Sequence, residues 1–543
     1  MAGATRSRLV TEDTSATDAV AAGAVGLASV LFALALAALF EQVSLTDSVG
    51  GVPLATLIGG LLALLGGAVI AFGVGSRFGY VATQPRPTAG IVAASSSTLV
   101  WFAVGGVVAS QSFGLGTLGW LFVAGLTGGA AFAVSAVLRE DLGSTLPAGA
   151  LTLFAGLVFL TGAIGPSWVW ELGWAQRASF TAEFVVPGVT LFCSLFSGWA
   201  AAKAYGGFGA RGRHMGAYLL VYLNAVAIVG VLFVLMGFTI VKGTPGLFRG
   251  LSVGLGTGPE SVVVLFGQTV SFTWPLDWPF VMNGVGLIND FNGVLPAIAG
   301  TFWLVAGAML VAVPLGIGAA IFLTEYAERG PFTQAVEVAT NGLWSTPSIV
   351  FGLFGYAFLV PRFGNRKSLL AGMLTLSFML LPLVLITSRE AMLSVPDEYR
   401  DASAALGVTK WQTIRSVVLP AALPGVVTGV ILGVGRIAGE TAPILLTMAG
   451  GVFIPGSQTV DVVGGFEFTS SAPFVANPEL MQATSALPYQ LYALITAGVG
   501  ASSNVGNADE FRWATALILL IVVLSFYAVG ITARYYFRSK LRE

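Results

Sequence analysis

The stretch that decides the reading runs LPGVVTGVILGVGRIAGETAPILLTMA, from Leu423 to Ala449. At ~1.5 Å rise per residue, about 20 residues cross a hydrocarbon core of ~30 Å, so this run is long enough to span a bilayer. Arg436 and Glu440 interrupt it near its middle, at a spacing that predicts one shared helical face. A charge at bilayer depth costs roughly 2.5–3.5 kcal/mol on insertion scales. Such a pair reads first as part of an ion or substrate path.

The rest of the chain agrees with a membrane setting. Of 543 residues, 56% are hydrophobic and 9% charged, against about 25% charged in a soluble domain. A net charge of -1 gives no footprint for nucleic acid. The one cysteine, Cys193, lies in an apolar segment and reads as a small buried residue; the one histidine, His214, sits beside Arg211 and Arg213 in what reads as a polar loop. No metal site, catalytic set or cofactor is expected. Twelve apolar spans can be drawn, near 19–40, 53–75, 89–110, 114–138, 145–164, 184–202, 216–240, 295–323, 340–360, 368–388, 423–449 and 513–533. The fold class is therefore all-α and polytopic, with about 12 transmembrane helices. Arginine and lysine fall mainly on loops that are inside when both termini are cytoplasmic; Arg362, Arg366 and Lys367 dissent. Residues 1–205 read as an N-terminal extension of about six transmembrane helices without assigned role. Residues 206–543 hold the charged span and three long polar stretches, and form the functional core.

One polar stretch, expected inside, reads SREAMLSVPDEYRDASAALGVTKWQTIRSVVLPAALP over residues 388–424. Ser394-Val395-Pro396-Asp397 has a capping-box pattern opening a helix to about Leu406, and Gly407 is the left-handed stop. Thr409-Lys410-Trp411-Gln412 is a second capping box, opening a helix expected to end before Leu419-Pro420. This helix-turn-helix leaves Leu406 and Val408 exposed beside the turn, as a docking surface or as an amphipathic loop on the lipid interface. The spacing of Asp401-Ala402-Ser403, Gly407, Val417 and Leu419-Pro420 resembles the EAA loop of ABC-importer permeases, with Asp for Glu, Ser for Ala and Val for Ile. The resemblance implies that loop 389–420 seats in a separate ATPase subunit.

A closer resemblance surrounds it. Gly435-Arg436-Ile437-Ala438-Gly439-Glu440-Thr441-Ala442-Pro443 is similar to a signature of the PstA-type phosphate-importer permeases. So are Pro314-Leu315-Gly316-Ile317 with Glu325-Tyr326, the run Ser345-Thr346-Pro347-Ser348-Ile349-Val350-Phe351-Gly352-Leu353, and Leu487-Pro488-Tyr489. The resemblance covers the C-terminal half and implies the type I permease fold, a homologous permease partner, ATP-binding cassette subunits and an extracytoplasmic phosphate-binding protein.

Residue chemistry fits an oxyanion. An arginine fork matches one bidentately and stays charged when desolvated. Glu440 can accept a hydrogen bond only from an anion that keeps a proton, as phosphate does and sulfate at neutral pH does not. Gly439 and Pro443 should loosen the helix at the pair, and Thr441 adds a hydroxyl to the wall. A neutralising Arg436–Glu440 ion pair is the structural alternative. Glu325 and Glu328 read as solvated helix-end residues, and the outside loop 272–292, with Asn289, Asp290 and Asn292, as an interfacial aromatic belt or a binding-protein contact. No lysine follows a glycine, so a Walker A loop is absent and ATP hydrolysis is expected on a partner. The alternatives are a permease for sulfate, molybdate or tungstate, and a stand-alone secondary carrier.

Overall fold

In lipid every backbone N–H and C=O must be satisfied within its own segment, so apolar runs of this length become helices. The computed structural model describes residues 16–171, 179–258, 260–265, 268–285, 292–328, 330–451, 454–472, 474–496 and 508–540. The chain divides into two compact units, 1–236 and 237–543.

The first unit contains α1 (Ala16–Leu39), α2 (Leu54–Arg77), α3 (Ile91–Val107), α4 (Thr117–Val137), α5 (Glu140–Leu160), α6 (Ala182–Tyr205) and most of α7 (Gly209–Leu247). α2 and α5 meet through glycines. A Cβ on Gly59 would fall 2.6 Å from the Leu160 nitrogen, and one on Gly149 would fall 2.8 Å from the Gly66 carbonyl. Small residues thus let the backbones touch, which is how helices gain packing in a solvent as apolar as their side chains. Leu31, Ile58, Leu62, Leu65 and Cys193 fill the core beside them. At the ends of α5 and α6, Lys203 Nζ lies 3.0 Å from Glu140 Oε1, each side chain only 1% exposed. Glu140 Oε2 also accepts from the Arg86 and Gly209 backbone nitrogens, both at 3.0 Å. His214 lies in an early turn of α7, edge-on to Tyr218, rather than in a loop.

The second unit carries α8 (Pro279–Met282), α9 (Leu295–Ile321), α10 (Pro331–Ser345), α11 (Ser348–Phe354), α12 (Val360–Arg362), α13 (Leu369–Leu393), α14 (Asp397–Ala405), α15 (Lys410–Thr413), α16 (Leu419–Ala438), α17 (Ala442–Thr447), α18 (Leu487–Thr496) and α19 (Ala508–Lys540). α13 is the central helix, packed against α9 and α16, with Leu304, Leu376, Leu380, Val384 and Ile437 in one core. Added Cβ atoms on Gly425, Gly429 and Gly433 would run into Ala391, Thr387 and Leu380, so one glycine edge of α16 lies directly on α13. Short antiparallel hairpins, such as Glu260–Leu265 with Gln268–Thr273, occupy the connections.

Among the described residues, eleven helices are long and apolar enough to cross a membrane, or up to twelve counting one bent pair. This is an all-α polytopic membrane protein. Two expected spans differ in form. The run near 340–360 is not one helix: Pro331–Ser345 and Ser348–Arg362 meet at 101°. Pro347 forces the residue before it out of the helical region, and Thr346 sits at φ -68, ψ 132. The run 423–449 likewise breaks, as described next.

Candidate functional site

α16 begins further back than its apolar sequence suggests. Lys410–Ala438 is one continuous helical path, passing through a π-helical turn at Ile414–Val418. The second loop helix therefore does not end before Leu419-Pro420. Wider π turns tolerate the missing donor of Pro420, which would break regular α geometry.

At its other end α16 stops at Ala438, with Gly439 as cap. Pro443 has no N–H to give the carbonyl of Gly439, four residues earlier, and its ring would collide with it. The chain reforms a helix only at Ala442, leaving residues 439–441 outside helical structure. Arg436 thus occupies the last turn of α16, and Glu440 lies in the break. They do not share a helical face, nor do they sit at the middle of a single long helix.

The Arg436 guanidinium lies over the Trp344 ring of α10, 4.2 Å from its centroid. Among the described residues it has no carboxylate within ion-pair distance, and Glu440 has no basic partner. The neutralising pair is therefore not formed. Thr441 is partly buried beside Glu440, and its carbonyl accepts from the Leu445 nitrogen at 2.9 Å. The bend and the break adjoin. A Cβ on Gly352 of α11 would meet the Cα of Pro443 at 2.8 Å, and one on Gly355 would strike Thr375 and Thr447. Tyr489 of α18 joins the same core as Ile437 and Ile444. Residues 345–352, 435–443 and 487–489, far apart in sequence, converge on one place in this unit. Two of the three dissenting charges find local partners: Lys367 Nζ donates to the Leu445 carbonyl at 2.7 Å, and Arg362 lies 3.6 Å over the Phe358 ring.

Loop 389–420 forms the helix-turn-helix. Its first helix opens at Asp397 without a capping box: Ser394 instead donates to the Ala391 carbonyl at 2.7 Å, and Pro396 occupies the cap position. Gly407 has φ +73, the left-handed stop. The second capping box is present, Thr409 N donating to Gln412 Oε1 at 2.9 Å and Gln412 N to Thr409 Oγ1 at 3.4 Å. The Ser403 and Thr413 hydroxyls, 2.8 Å apart, brace the two helices. Asp401 and Ala402 are exposed, Leu406 is 83% exposed and Val408 40%. Leu419 and Pro420 are partly buried.

Next to the loop, sequence reasoning missed the pairing of Glu325 with Arg400. Glu325 is not a solvated helix-end group; its side chain is 8% exposed and lies 3.0 Å from Arg400 Nη2. No local pattern links positions so far apart. Asn289 and Asp290 lie outside the described residues.

A family model for the binding-protein-dependent transport system inner membrane component matches residues 312–542. A phosphate transport system permease protein PstA of Haemophilus influenzae is 39% identical over 252 residues, 46% of this chain and 78% of that protein. The chain belongs to the PstA-type ABC-importer permeases. Mycobacterium leprae PstA is 38% identical over 51% of this chain and 81% of its own length. A probable ABC transporter permease of Bacillus subtilis, YqgH, is 40% identical over 46% and 77% respectively. A solved chain of the methionine ABC transporter MetNI, in an inward-facing conformation, aligns at TM-score 0.31 and 20% identity, covering 45% of this chain and 94% of that one. As a PstA-type permease, the chain is a multi-pass membrane transport subunit and not itself an enzyme.

Proposed function

We propose that this PstA-type permease conducts phosphate. The observation that carries the reading is the Arg436 guanidinium, held at a helix break in an apolar bundle and facing no carboxylate. A half-buried arginine with its fork unclaimed favours an oxyanion, and a bidentate match adds geometric selection. Glu440 in the same break supplies the discriminating group, accepting a hydrogen bond from hydrogen phosphate and repelling sulfate. Thr441 completes the wall. Gly439 and Pro443 keep the backbone irregular where it lines the path.

In this reading loop 389–420 docks a separate ATP-binding subunit through Leu406, Gly407 and Val408, with Asp401, Ala402 and Ser403 on its first helix and Leu419-Pro420 at its root. Both termini are cytoplasmic. A homologous permease, two ATPase subunits and an extracytoplasmic phosphate-binding protein complete the importer. Residues 206–543 form the permease core, and residues 1–205 an extension of unassigned role.

Cargo is tested by uptake of radiolabelled phosphate in phosphate-starved cells expressing the chain with its partners. Unlabelled phosphate should suppress uptake, while excess sulfate, molybdate or tungstate should leave it intact. Suppression by one of those three, or no phosphate uptake by an assembled complex, would move the cargo to another oxyanion.

A further inference from the structure

Arg400 makes more polar contacts than any feature of the loop's sequence requires. Its Nε and Nη2 lie 3.3 and 3.0 Å from Glu325 Oε1, in the π-helical turn that ends α9. Nη2 also donates to the Met392 carbonyl at 3.1 Å, in the last turn of α13, and Nη1 to the Val395 carbonyl at 2.8 Å, in the turn that follows it. Nη1 reaches Asp397 Oδ1 at 3.1 Å within α14 itself. One planar cation therefore joins three elements: the first helix of the coupling loop, the end of α9 and the end of α13.

These contacts differ in worth. Asp397 is 91% exposed, so its ion pair is screened and contributes little. The Glu325 side chain is 8% exposed and the Arg400 side chain 22%, so that pair works in a lower dielectric. The Met392 carbonyl belongs to the last turn of α13, where unsatisfied acceptors collect, and the Val395 carbonyl to the turn just after it. Lysine could not replace the arginine, because its donors radiate from one point and cannot span carboxylate and carbonyls in a plane.

We propose that Arg400 is a positioning residue, the strut through which displacement of the coupling loop moves α9 and α13 together. This rests on the reading that the loop docks the ATPase. α13 packs directly on α16, the helix that carries Arg436, so movement passed to α13 reaches the proposed path. Besides the strut, the loop meets the end of α9 through the Lys410 ammonium, 5.2 Å from the Tyr326 ring centroid, and through the apolar cluster of Val395 and Val418 with Ala320. Neither supplies the directional, charge-assisted hydrogen bonds of Arg400, and the Ser403–Thr413 brace and the caps hold the loop only to itself.

The test is hydrogen exchange on the full chain purified with its ATPase subunits, compared with and without ATP plus vanadate. In wild type, nucleotide trapping should alter exchange in segment 394–420 and also in 318–328. In Arg400→Lys, the response in 394–420 should persist, the response in 318–328 should be lost, and thermal stability should change little. Glu325→Gln should reproduce that loss from the opposite side and serves where Arg400→Lys fails to assemble; Asp397→Asn should leave both responses intact. An undiminished response of 318–328 in either assembled strut variant would overturn the proposal. A wild-type complex whose 394–420 segment ignores the nucleotide would reject the docking reading itself, a distinguishable result.

Discussion

One buried and one half-buried cation, Lys203 and Arg436, show how differently this chain handles charge at the residue scale. Lys203 is saturated: Glu140 lies at 3.0 Å, the Ser144 hydroxyl at 2.7 Å and the Trp199 ring at 4.7 Å. Removing one member of such a pair strands the other, so Lys203→Met should destabilise the protein by about 3–5 kcal/mol, read as a fall in thermal midpoint in detergent. Arg436 has an aromatic face and, among the described residues, no carboxylate partner. A cation–π contact of ~0.5–2 kcal/mol orients a guanidinium without neutralising it, which leaves the charge available to a ligand. Glu440→Gln removes the repulsive half of the site while preserving its size. That variant should still import phosphate but become sensitive to excess sulfate in competition assays; unchanged sulfate resistance would remove Glu440 from discrimination. Arg436 was legible in the sequence because a charge in an apolar run is conspicuous. Lys203 and Glu140 were not, because they lie at the ends of spans, where charges are ordinary, and only the packed structure brings them together.

At the scale of elements, this protein's working parts are interrupted helices. The break at 439–441, the 101° bend between α10 and α11, and the π turns at Phe322–Tyr326 and Ile414–Val418 lie along the proposed path or next to the loop. Composition predicted the loosening at Gly439 and Pro443 but not its consequence, since a hydropathy window reads through three non-helical residues. It therefore joined α16 to α17 and α10 to α11. The capping chemistry was easier to read where side chain and backbone are close in sequence: Thr409–Gln412 and Gly407 behave as their types require, whereas Ser394 found a nearer carbonyl in Ala391. Two variants test this level. Gly429→Val inserts a side chain into Thr387 of α13 and should cost about 1–3 kcal/mol through overpacking, seen in thermal unfolding. Leu406→Glu changes a residue that is 83% exposed, so stability should hold while co-purification of the ATPase subunits falls. Retained co-purification would place the docking surface elsewhere.

For the whole molecule, the sequence yielded class and family because both rest on patterns that survive without geometry: twenty-residue apolar runs and motifs in fixed order. It did not yield the meeting of residues 345–352, 435–443 and 487–489, which depends on how α11, α17 and α18 pack. The structure describes the two units as bodies in their own right, and the proposed path lies wholly in the second. The central claim is that phosphate passes Arg436. Its most direct test is radiolabelled phosphate uptake by vesicles reconstituted with the complete importer, carrying either the wild-type chain or Arg436→Gln. Assembly and ATP hydrolysis would be measured on the same vesicles. The account predicts that the assembled variant loses uptake while still binding its ATPase; wild-type uptake by that assembled variant would contradict it.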